Sequence, residues 1–570
     1  MKLAIVHHEK CKPALCGHEC KKYCPIEKKE MDSCVTIGGK AKIEEKTCIG
    51  CTICQKRCPF EAIDIINLPS VKDEDLVYRY GENGFALYGL PTPREGNVLG
   101  LLGRNGIGKS TAIKILAGQE KLRIRGSEIE PIEFFKASEL GTYFESLKKK
   151  KVSYKPQNLS KLSANIKVID LLKQRGAEKE ILKFAEKLGV SQILENKMDK
   201  LSGGELQKIA IIAASLGESD IYFFDEPLAY LDISERLRVS DFIKEIGVDK
   251  SVIVVEHDLL ILDYLTDNLN LFFGSVGAFG LVSDVKTSKY GVNSYLQGFL
   301  KEENLRIRDK ELNFNFSRNS SLGGHRISSW PDFKLKFESG FELEAKGGEI
   351  RQNHVTGILG RNGTGKTTFV KAIVGEIDTN SGKLDLNLDI SYKSQYLLSD
   401  SNEIVRDICF REKINKKMMS LFNLGVLLHK KINELSGGEL QRFSIARCLS
   451  KEADIYLIDE PSAYLDVEER ISVAKVIKDM MIEKEKTAFV VDHDLLLVSY
   501  LADSIINFEG EPGVRGMSSE IKSFEEGIGE LLKNLDITLR KDKDSGRPRI
   551  NKRGSVLDRE QKEKGEWAVF

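Results

Sequence analysis

Nine of the 11 cysteines fall within the first 58 residues. Cys48-x2-Cys51-x2-Cys54-x3-Cys58-Pro59 has the spacing of a 4Fe–4S ligand run, in which three close thiolates take three corners of one cubane and the fourth reaches a second cluster. A looser run precedes it, Cys11-x4-Cys16-x3-Cys20-x3-Cys24-Pro25, with the same Cys-Pro closure. The crossover rule then pairs Cys48, Cys51, Cys54 and Cys24 around one cluster, and Cys11, Cys16, Cys20 and Cys58 around the other. Cys34 is left over and reads as a free thiol, while His7, His8 and His18 exceed a four-thiolate count and read as surface residues. A pair of zinc sites is the alternative; two sets of four thiols with Cys-Pro closures favour iron–sulfur.

A second chemistry repeats twice. VLGLLGRNGIGKST (98–111) and TGILGRNGTGKTTF (356–369) each run from an apolar strand into G-x4-G-K-[ST], the context that identifies a phosphate-binding P-loop. Gly103, Asn105, Gly106 and Gly108, and in the second copy Gly360, Asn362, Gly363 and Gly365, let backbone N–H groups converge on phosphate oxygens at a helix N-terminus. Lys109 and Lys366 are expected on the β- and γ-phosphates, Ser110 and Thr367 on Mg²⁺, with Thr111 and Thr368 beside them.

An ordered series follows each loop. LSGGELQ occurs at 201–207 and 435–441, bringing Ser202, Gly203, Gly204 and Glu205 in one copy and Ser436, Gly437, Gly438 and Glu439 in the other. IYFFDEP and IYLIDEP are buried strands ending in paired acids: Asp225 and Asp459 are expected on Mg²⁺, Glu226 and Glu460 on the attacking water. AYLD follows at 229–232 and 463–466, then VVEHD and VVDHD, whose His257 and His493 are expected near the γ-phosphate. Gln157 and Gln395 hold the slot between P-loop and LSGGE, a second protein contact to Mg²⁺ and the water.

These residues need a scaffold, and the composition supplies its outline. At 570 residues the chain is long enough for three to five domains, and 41% hydrophobic with 30% charged residues is a globular profile. Lys+Arg and Asp+Glu both total 86, which excludes a wholly basic nucleic-acid coat but not a local basic patch. No stretch approaches 18 uninterrupted apolar residues and MKLAIVHHEKCKP is too short for a secretory signal, so a cytoplasmic protein without a membrane span is expected.

The two halves differ in one interval. Lys109 to Gln157 spans 48 residues and Lys366 to Gln395 spans 29, whereas LSGGE to the acids spans 24 in both. The first half therefore carries about 19 extra residues within 121–151. Leu140, Tyr143, Phe144 and Leu147 at i, i+3, i+4, i+7 predict an amphipathic helix there, preceded by a shorter one at Phe134 and Phe135. Lys148 to Lys151 then form a basic run, readable as solvated surface or as an RNA-phosphate contact.

The repeated motifs resemble those of the ATP-binding cassette (ABC) ATPases. That resemblance implies head-to-tail pairing, in which each LSGGE completes the other cassette's site: Lys109, Ser110, Asp225, Glu226 and His257 with Ser436, Gly437 and Gly438, and Lys366, Thr367, Asp459, Glu460 and His493 with Ser202, Gly203 and Gly204. With a two-cluster ferredoxin-like start and no membrane span, the whole chain resembles the ABCE family of ribosome-recycling ATPases. FFKASELGTYF resembles that family's helix–loop–helix insert, and ENLRIR (303–308) and RPRINK (547–552) resemble its hinge segments, so the charge-dense tail is expected to be folded rather than disordered.

The resemblance implies an α/β fold: a small ferredoxin-like α+β domain (1–75), a first cassette (76–300) with its insert, a connector (301–325), a second cassette (326–540) and a C-terminal hinge segment (541–570). Cofactors implied are two 4Fe–4S clusters, ATP and Mg²⁺. Adenine stacking is implied for Tyr80 and Phe85, while the second half offers Trp330 where a Tyr is usual. Asp492 stands before His493 where Glu is usual, a change expected to matter little. The implied activity is subunit splitting after termination, as a monomer, with the small ribosomal subunit and its rRNA, a release factor or its rescue paralogue, and initiation factors as partners. A transporter ATPase would lack the cysteine-rich segment, a tandem factor of the other ribosome-binding class would carry a long helical linker, and an ATP-driven electron-transfer enzyme stays open.

Overall fold

The computed structural model describes residues 2–569 except 30–32, 45–46, 68–74, 82, 125–126, 160–164, 309, 313, 315–323, 381, 385 and 396–400. Much of the expected connector and the approach to the first domain boundary lie outside the described residues.

Each cassette is built on five parallel strands in the same order. In the first they run Val152–Lys155, Ile221–Asp225, Ser251–Val255, Asn97–Gly103, Asn268–Ser275. In the second they run Ile390–Lys393, Ile455–Asp459, Thr487–Val491, Val355–Gly360, Ser504–Glu511. Strands such as Ile221–Asp225 and Ile455–Asp459 are buried throughout, which is why they read as unbroken apolar runs rather than alternating ones. Each P-loop leaves the strand that lies inside this order, and ligands of open parallel sheets bind at such carboxyl ends. An antiparallel hairpin extends each sheet: Leu76–Arg79 with Ala86–Tyr88, and Phe333–Lys336 with Glu342–Ala345.

The expected insert folds as two helices, Pro131–Phe134 and Glu139–Leu147. Tyr143 and Phe144 join the first cassette's core, Phe135 stacks on Phe144 at 5.8 Å, and the Tyr143 hydroxyl donates to Leu116 O at 2.7 Å. Lys150 pairs with Glu95, while Lys148, Lys149 and Lys151 around it are exposed.

The cysteine-rich segment pairs Lys2–Val6 with Ile63–Asn67 and Val35–Ile37 with Ala41–Ile43, and carries two short helices, Glu19–Lys22 and Ile53–Arg57. Buried Asn83 fastens it to the first cassette: its Nδ2 donates to Ala4 O (3.0 Å) and Ile43 O (2.9 Å), and its Oδ1 accepts from Ile43 N (2.9 Å). Ile5 packs with Tyr88 and Phe279 beneath that clamp. His7 departs from its expected surface position, since its Nε2 lies 2.8 Å from Asp64 Oδ2 and its side chain is largely covered.

The C-terminal segment is folded, as the hinge resemblance implied. Leu539–Lys541 and Pro548–Ile550 form a hairpin, and helix Val556–Lys564 follows. Fully buried Arg547 and neighbouring Arg549 both donate to Asp263, on helix Leu259–Leu265 of the first cassette, at 2.6–3.1 Å. From the connector, Arg308 crosses to Glu468 of the second cassette at 2.9 Å. Among the described residues no helix is long and apolar enough to cross a membrane.

Candidate functional site

Glycine-rich loops curl only if something holds their carbonyls inward. Lys109 Nζ donates to Gly103 O and Arg104 O, both at 2.8 Å, and Lys366 Nζ to Gly360 O (3.0 Å) and Arg361 O (2.7 Å). Gly108 and Gly365 sit at φ 102° and 92°, which favours glycine. A side chain there would also meet Phe85 Cζ at 2.9 Å and Phe341 Cζ at 3.0 Å.

Beside each loop the acids converge. Ser110 interacts with the Asp225 carboxylate, whose Oδ2 accepts from the Tyr154 hydroxyl at 3.4 Å, and Asp459 Oδ2 accepts from Thr367 Oγ1 at 3.0 Å. The other oxygen of each aspartate, Oδ1, is buried with no hydrogen-bond partner. An unsatisfied buried carboxylate oxygen next to a hydroxyl is a fitting seat for a divalent cation. Gln157 and Gln395 Nε2 donate to Glu226 and Glu460 Oε1, each at 2.8 Å. His257 Nε2 lies 3.4 Å from Glu226 Oε1, and His493 Nε2 lies 3.8 Å from Glu460 Oε1. Burial, with Lys109 or Lys366 close by, lowers the pKa of both histidines and so favours their neutral form.

Ser202 and Ser436 cap the helices Gly203–Ser215 and Gly437–Ser450, each in a reciprocal box with Glu205 or Glu439. The AYLD tyrosines lie on the signature glycines: a Cβ on Gly203 would meet Tyr230 Cγ at 3.3 Å and one on Gly437 would meet Tyr464 Cγ at 3.0 Å. The next acid crosses between cassettes. Asp466 Oδ2 accepts from Asn105 N at 3.1 Å, and Asp232 Oδ2 from Asn362 N at 2.8 Å. Each signature loop is thus carried toward the opposite P-loop, the head-to-tail arrangement.

One expectation needs correction here. Trp330 is not an adenine platform: it is 3% exposed, packed between Phe369 and Phe489, with its indole N–H donating to Lys346 O at 2.9 Å. Hairpin register instead equates Phe337 and Phe341, ring centroids 6.1 Å apart, with Tyr80 and Phe85, 6.3 Å apart. The F-x3-F spacing beside Y-x4-F carried that signal. Cys34, the thiol left over from the two fours, is buried and shares a cavity with Cys24, Cys48, Cys51 and Cys54.

Asp492 has a local explanation. In the first cassette Glu256 accepts from Leu228 N at 2.7 Å; in the second the shorter Asp492 accepts from both Ser462 N (2.9 Å) and Ser462 Oγ (2.7 Å). A serine hydroxyl makes up for the missing methylene.

The thiols rim two cavities. Cys11, Cys16, Cys20 and Cys58 line the second, so the division into fours follows the crossover pattern. Among the described residues no three metal-ligating side chains converge as one ion would require. Backbone N–H groups of Gly50, Ala62 and Ala41 donate to the sulfurs of Cys48, Cys58 and Cys11, each at 3.4 Å, as is common around iron–sulfur ligands. Burial pushes the Cys20 thiol up to about 11 and Cys54 to about 12, a cost to thiolate formation that a bound cation would have to offset.

Comparison with known proteins fits this geometry. The family described as "ABC transporter" matches residues 92–229 and 347–463, and "Possible Fer4-like domain in RNase L inhibitor, RLI" matches residues 1–29. The chain is 43% identical to "Uncharacterized ABC transporter ATP-binding protein MJ0719" of Methanocaldococcus jannaschii, across 100% of this chain and 97% of the relative. It is 39% identical to "Translation initiation factor RLI1" of Saccharomyces cerevisiae, across 99% and 98%. The solved structure "Model of ribosome-bound archaeal Pelota and ABCE1" superposes with a TM-score of 0.93 at 42% identity, covering 100% of this chain and 99% of that one. The chain therefore belongs to the ABCE family and is an ATP-hydrolysing ABC enzyme with two cassettes and an N-terminal iron–sulfur-type segment.

Proposed function

We propose that this ATPase separates ribosomal subunits after termination, with ATP closing the two cassettes and the cysteine-rich segment moving as a rigid lever. The observation that carries this reading is the full-length likeness, at a TM-score of 0.93, to a relative described as bound to the ribosome with Pelota. The crossed contacts supply the physical means. Nucleotide held between one P-loop and the opposite signature loop adds binding energy only when the cassettes are together, and hydrolysis removes it.

In each composite site the P-loop lysine and backbone amides grip the phosphates. Ser110 with Asp225, and Thr367 with Asp459, would hold Mg²⁺, assisted by Gln157 and Gln395, and the ion would supply positive charge to offset that of the phosphates. Glu226 or Glu460 orients the attacking water and accepts its proton, and the neutral histidine donates to the γ-phosphate. Ser436 or Ser202, with the following glycine amides, closes the site from the other cassette. Tyr80 and Phe85, and Phe337 and Phe341, flank the adenine.

The eight paired cysteines would hold two 4Fe–4S clusters, four thiolates each, which stiffen the segment without any need for electron transfer. Residues 1–75, 76–300, 301–325, 326–540 and 541–570 act as lever, first cassette, connector, second cassette and hinge. After splitting, the closed protein stays on the small subunit as a monomer, contacting rRNA through its insert and meeting a release-type factor and then initiation factors in the cytoplasm. Sucrose-gradient sedimentation of ribosomes with the protein, a release-type factor and ATP is the direct test. Free subunits are expected with ATP and intact ribosomes without it; ATP hydrolysis without any splitting would overturn the proposal.

A further inference from the structure

Both glutamates beside the phosphates have a backbone that an L-residue resists. Glu226 sits at φ 47° and Glu460 at φ 49°, in the left-handed region. Such a conformation persists only where surrounding groups over-determine it. The peptide N–H groups are tied to the neighbouring strands, Glu226 N to Val255 O at 3.0 Å and Glu460 N to Val491 O at 2.8 Å. The carbonyls are held by two further side chains that the nucleotide chemistry described above does not use.

One is a buried lysine. Lys155, 0% exposed at the end of strand Val152–Lys155, donates from Nζ to Asp225 O at 2.9 Å and Glu226 O at 3.0 Å. Lys393, 4% exposed, does the same to Asp459 O at 2.6 Å and Glu460 O at 3.3 Å. The other is a glutamine on the signature helix: Gln207 Nε2 donates to Glu226 O and Gln441 Nε2 to Glu460 O, each at 2.6 Å. Each ammonium gives its hydrogen bonds to these carbonyls, while the carboxylates of Asp225, Glu226 and Glu256, or of Asp459, Glu460 and Asp492, lie near enough to offset part of its charge. Burying a cation there is costly even so. Its occurrence at equivalent positions in two halves that differ elsewhere points to a task rather than to packing.

We infer that Lys155 and Lys393 are positioning residues for hydrolysis: each ammonium, sharing the glutamate carbonyl with Gln207 or Gln441, fixes the strained peptide so that the carboxylate is aimed at the attacking water. The same glutamines lie one turn beyond Ser202 and Ser436, which face the other ATP, so the clamp joins each catalytic carboxylate to the helix that closes the opposite site. This rests on the assignment of Glu226 and Glu460 as catalytic.

The test is Lys155→Met with Lys393→Met in the full protein, measured by steady-state hydrolysis and by titration with a fluorescent ATP analogue. A misplacement of about 1 Å can cost about 10²-fold in rate, so kcat is expected to fall about 10- to 100-fold with analogue affinity within about threefold. Adding Glu226→Gln and Glu460→Gln to the lysine changes should then lower kcat no further than the glutamine changes alone, because both act through one carboxylate. Should the lysine variant not fold, Gln207→Leu with Gln441→Leu removes the other donor to the same carbonyls and should lower kcat in the same way. Unchanged kcat, lost analogue binding, or fully multiplicative effects would each overturn the inference. If Glu226→Gln with Glu460→Gln itself left hydrolysis intact, the glutamate assignment would fail first; if that variant is inactive while the lysine variant turns over normally, only the lysine inference falls.

Discussion

The backbone N–H of Asn362 donates to the carboxylate of Asp232 at 2.8 Å, although the two residues belong to different cassettes. Asp232 also accepts from Glu235 N at 3.0 Å, so one carboxylate caps its own helix and grips the opposite P-loop. Asp466 does the same with Glu469 N at 3.0 Å and Asn105 N at 3.1 Å. Each signature loop is thereby referenced to the other half's nucleotide.

Composite sites predict a pattern of non-additivity. On the proposed reading Lys109 and Ser436 serve one ATP, Lys366 and Ser202 the other. Lys109→Ala with Ser436→Arg should hydrolyse ATP about as well as the worse single variant, because residues acting as a unit do not add. Lys109→Ala with Ser202→Arg damages both sites from within one cassette and should leave almost nothing. The opposite ranking in steady-state assays would rule out crossed sites.

The two thiol-lined cavities lead to a statement about metal content. Anaerobically purified protein should carry about eight iron atoms, two cubanes by ligand count. Cys24→Ser should deplete the cluster held mainly by Cys48, Cys51 and Cys54, and Cys58→Ser the one held by Cys11, Cys16 and Cys20. Iron analysis with electron paramagnetic resonance separates the two; two zinc ions and no iron would refute the cluster assignment.

What the sequence made legible is the chemistry fixed by local spacing. P-loops, LSGGE, the paired acids and the cysteine runs need their residues at set intervals along the chain, so the intervals could be read directly. Roles defined by packing could not. Trp330 has the right residue type ahead of the second P-loop, yet strand pairing puts Phe337 and Phe341 in the equivalent hairpin, a match that the F-x3-F spacing only hinted at. Nothing in YKPQ says that Lys155 turns inward to two carbonyls, since that depends on strand Val152–Lys155 lying beside Ile221–Asp225. The Arg547–Asp263 bond, spanning 284 residues, is invisible to any window. The tail's charge density gave no hint of a buried guanidinium; only the hinge resemblance pointed to a folded segment.

That guanidinium makes the hinge sensitive to single changes. Asp263→Ala removes the ion-pair partner of Arg547, 1% exposed, and breaking one partner of a buried pair costs about 3–5 kcal/mol, less here by what Asn293 and Asp542 still supply. A lower melting temperature and early proteolytic release of the segment after 540 are expected. Nearby Asp542, despite burial that opposes its charge, is held down at about 2 by the Ser545 amide, Asn293 and Arg547. Its folded value lies below the unfolded one near 3.9, so its stabilisation is full above about pH 4 and lost as pH falls through about 2. The melting difference between wild type and Asp542→Asn should therefore shrink between pH 4 and pH 2; a difference that grew on acidification would contradict this.

The insert's basic run divides into unequal parts. Lys150 is engaged by Glu95, whereas Lys148, Lys149 and Lys151 are exposed. Replacing those three with Ala should weaken small-subunit binding and reduce its log–log salt slope by about 0.7–0.9 for each phosphate that is no longer neutralised. Lys150→Ala should change the slope least, and ATP affinity should be unaffected by either variant. An unaltered slope in the triple variant would make the run plain solvated surface.

Closure and hydrolysis can be separated at the glutamates. Glu226→Gln with Glu460→Gln keeps side-chain volume and the amide partners Gln157 and Gln395, so the P-loops, Asp225, Asp459 and the crossed Asp232 and Asp466 contacts stay available to nucleotide. What is removed is the acceptor for the water's proton, which lowers turnover by about 10²–10⁴-fold. ATP binding should therefore persist while release is blocked, and the variant should accumulate closed on the small subunit in an ATP-dependent way. Lys109→Ala with Lys366→Ala should behave oppositely, neither retaining nucleotide nor remaining bound. Sedimentation of the two variants with small subunits distinguishes them, and a glutamate variant that dissociates as readily as the lysine variant would mean that hydrolysis is not what opens the cassettes.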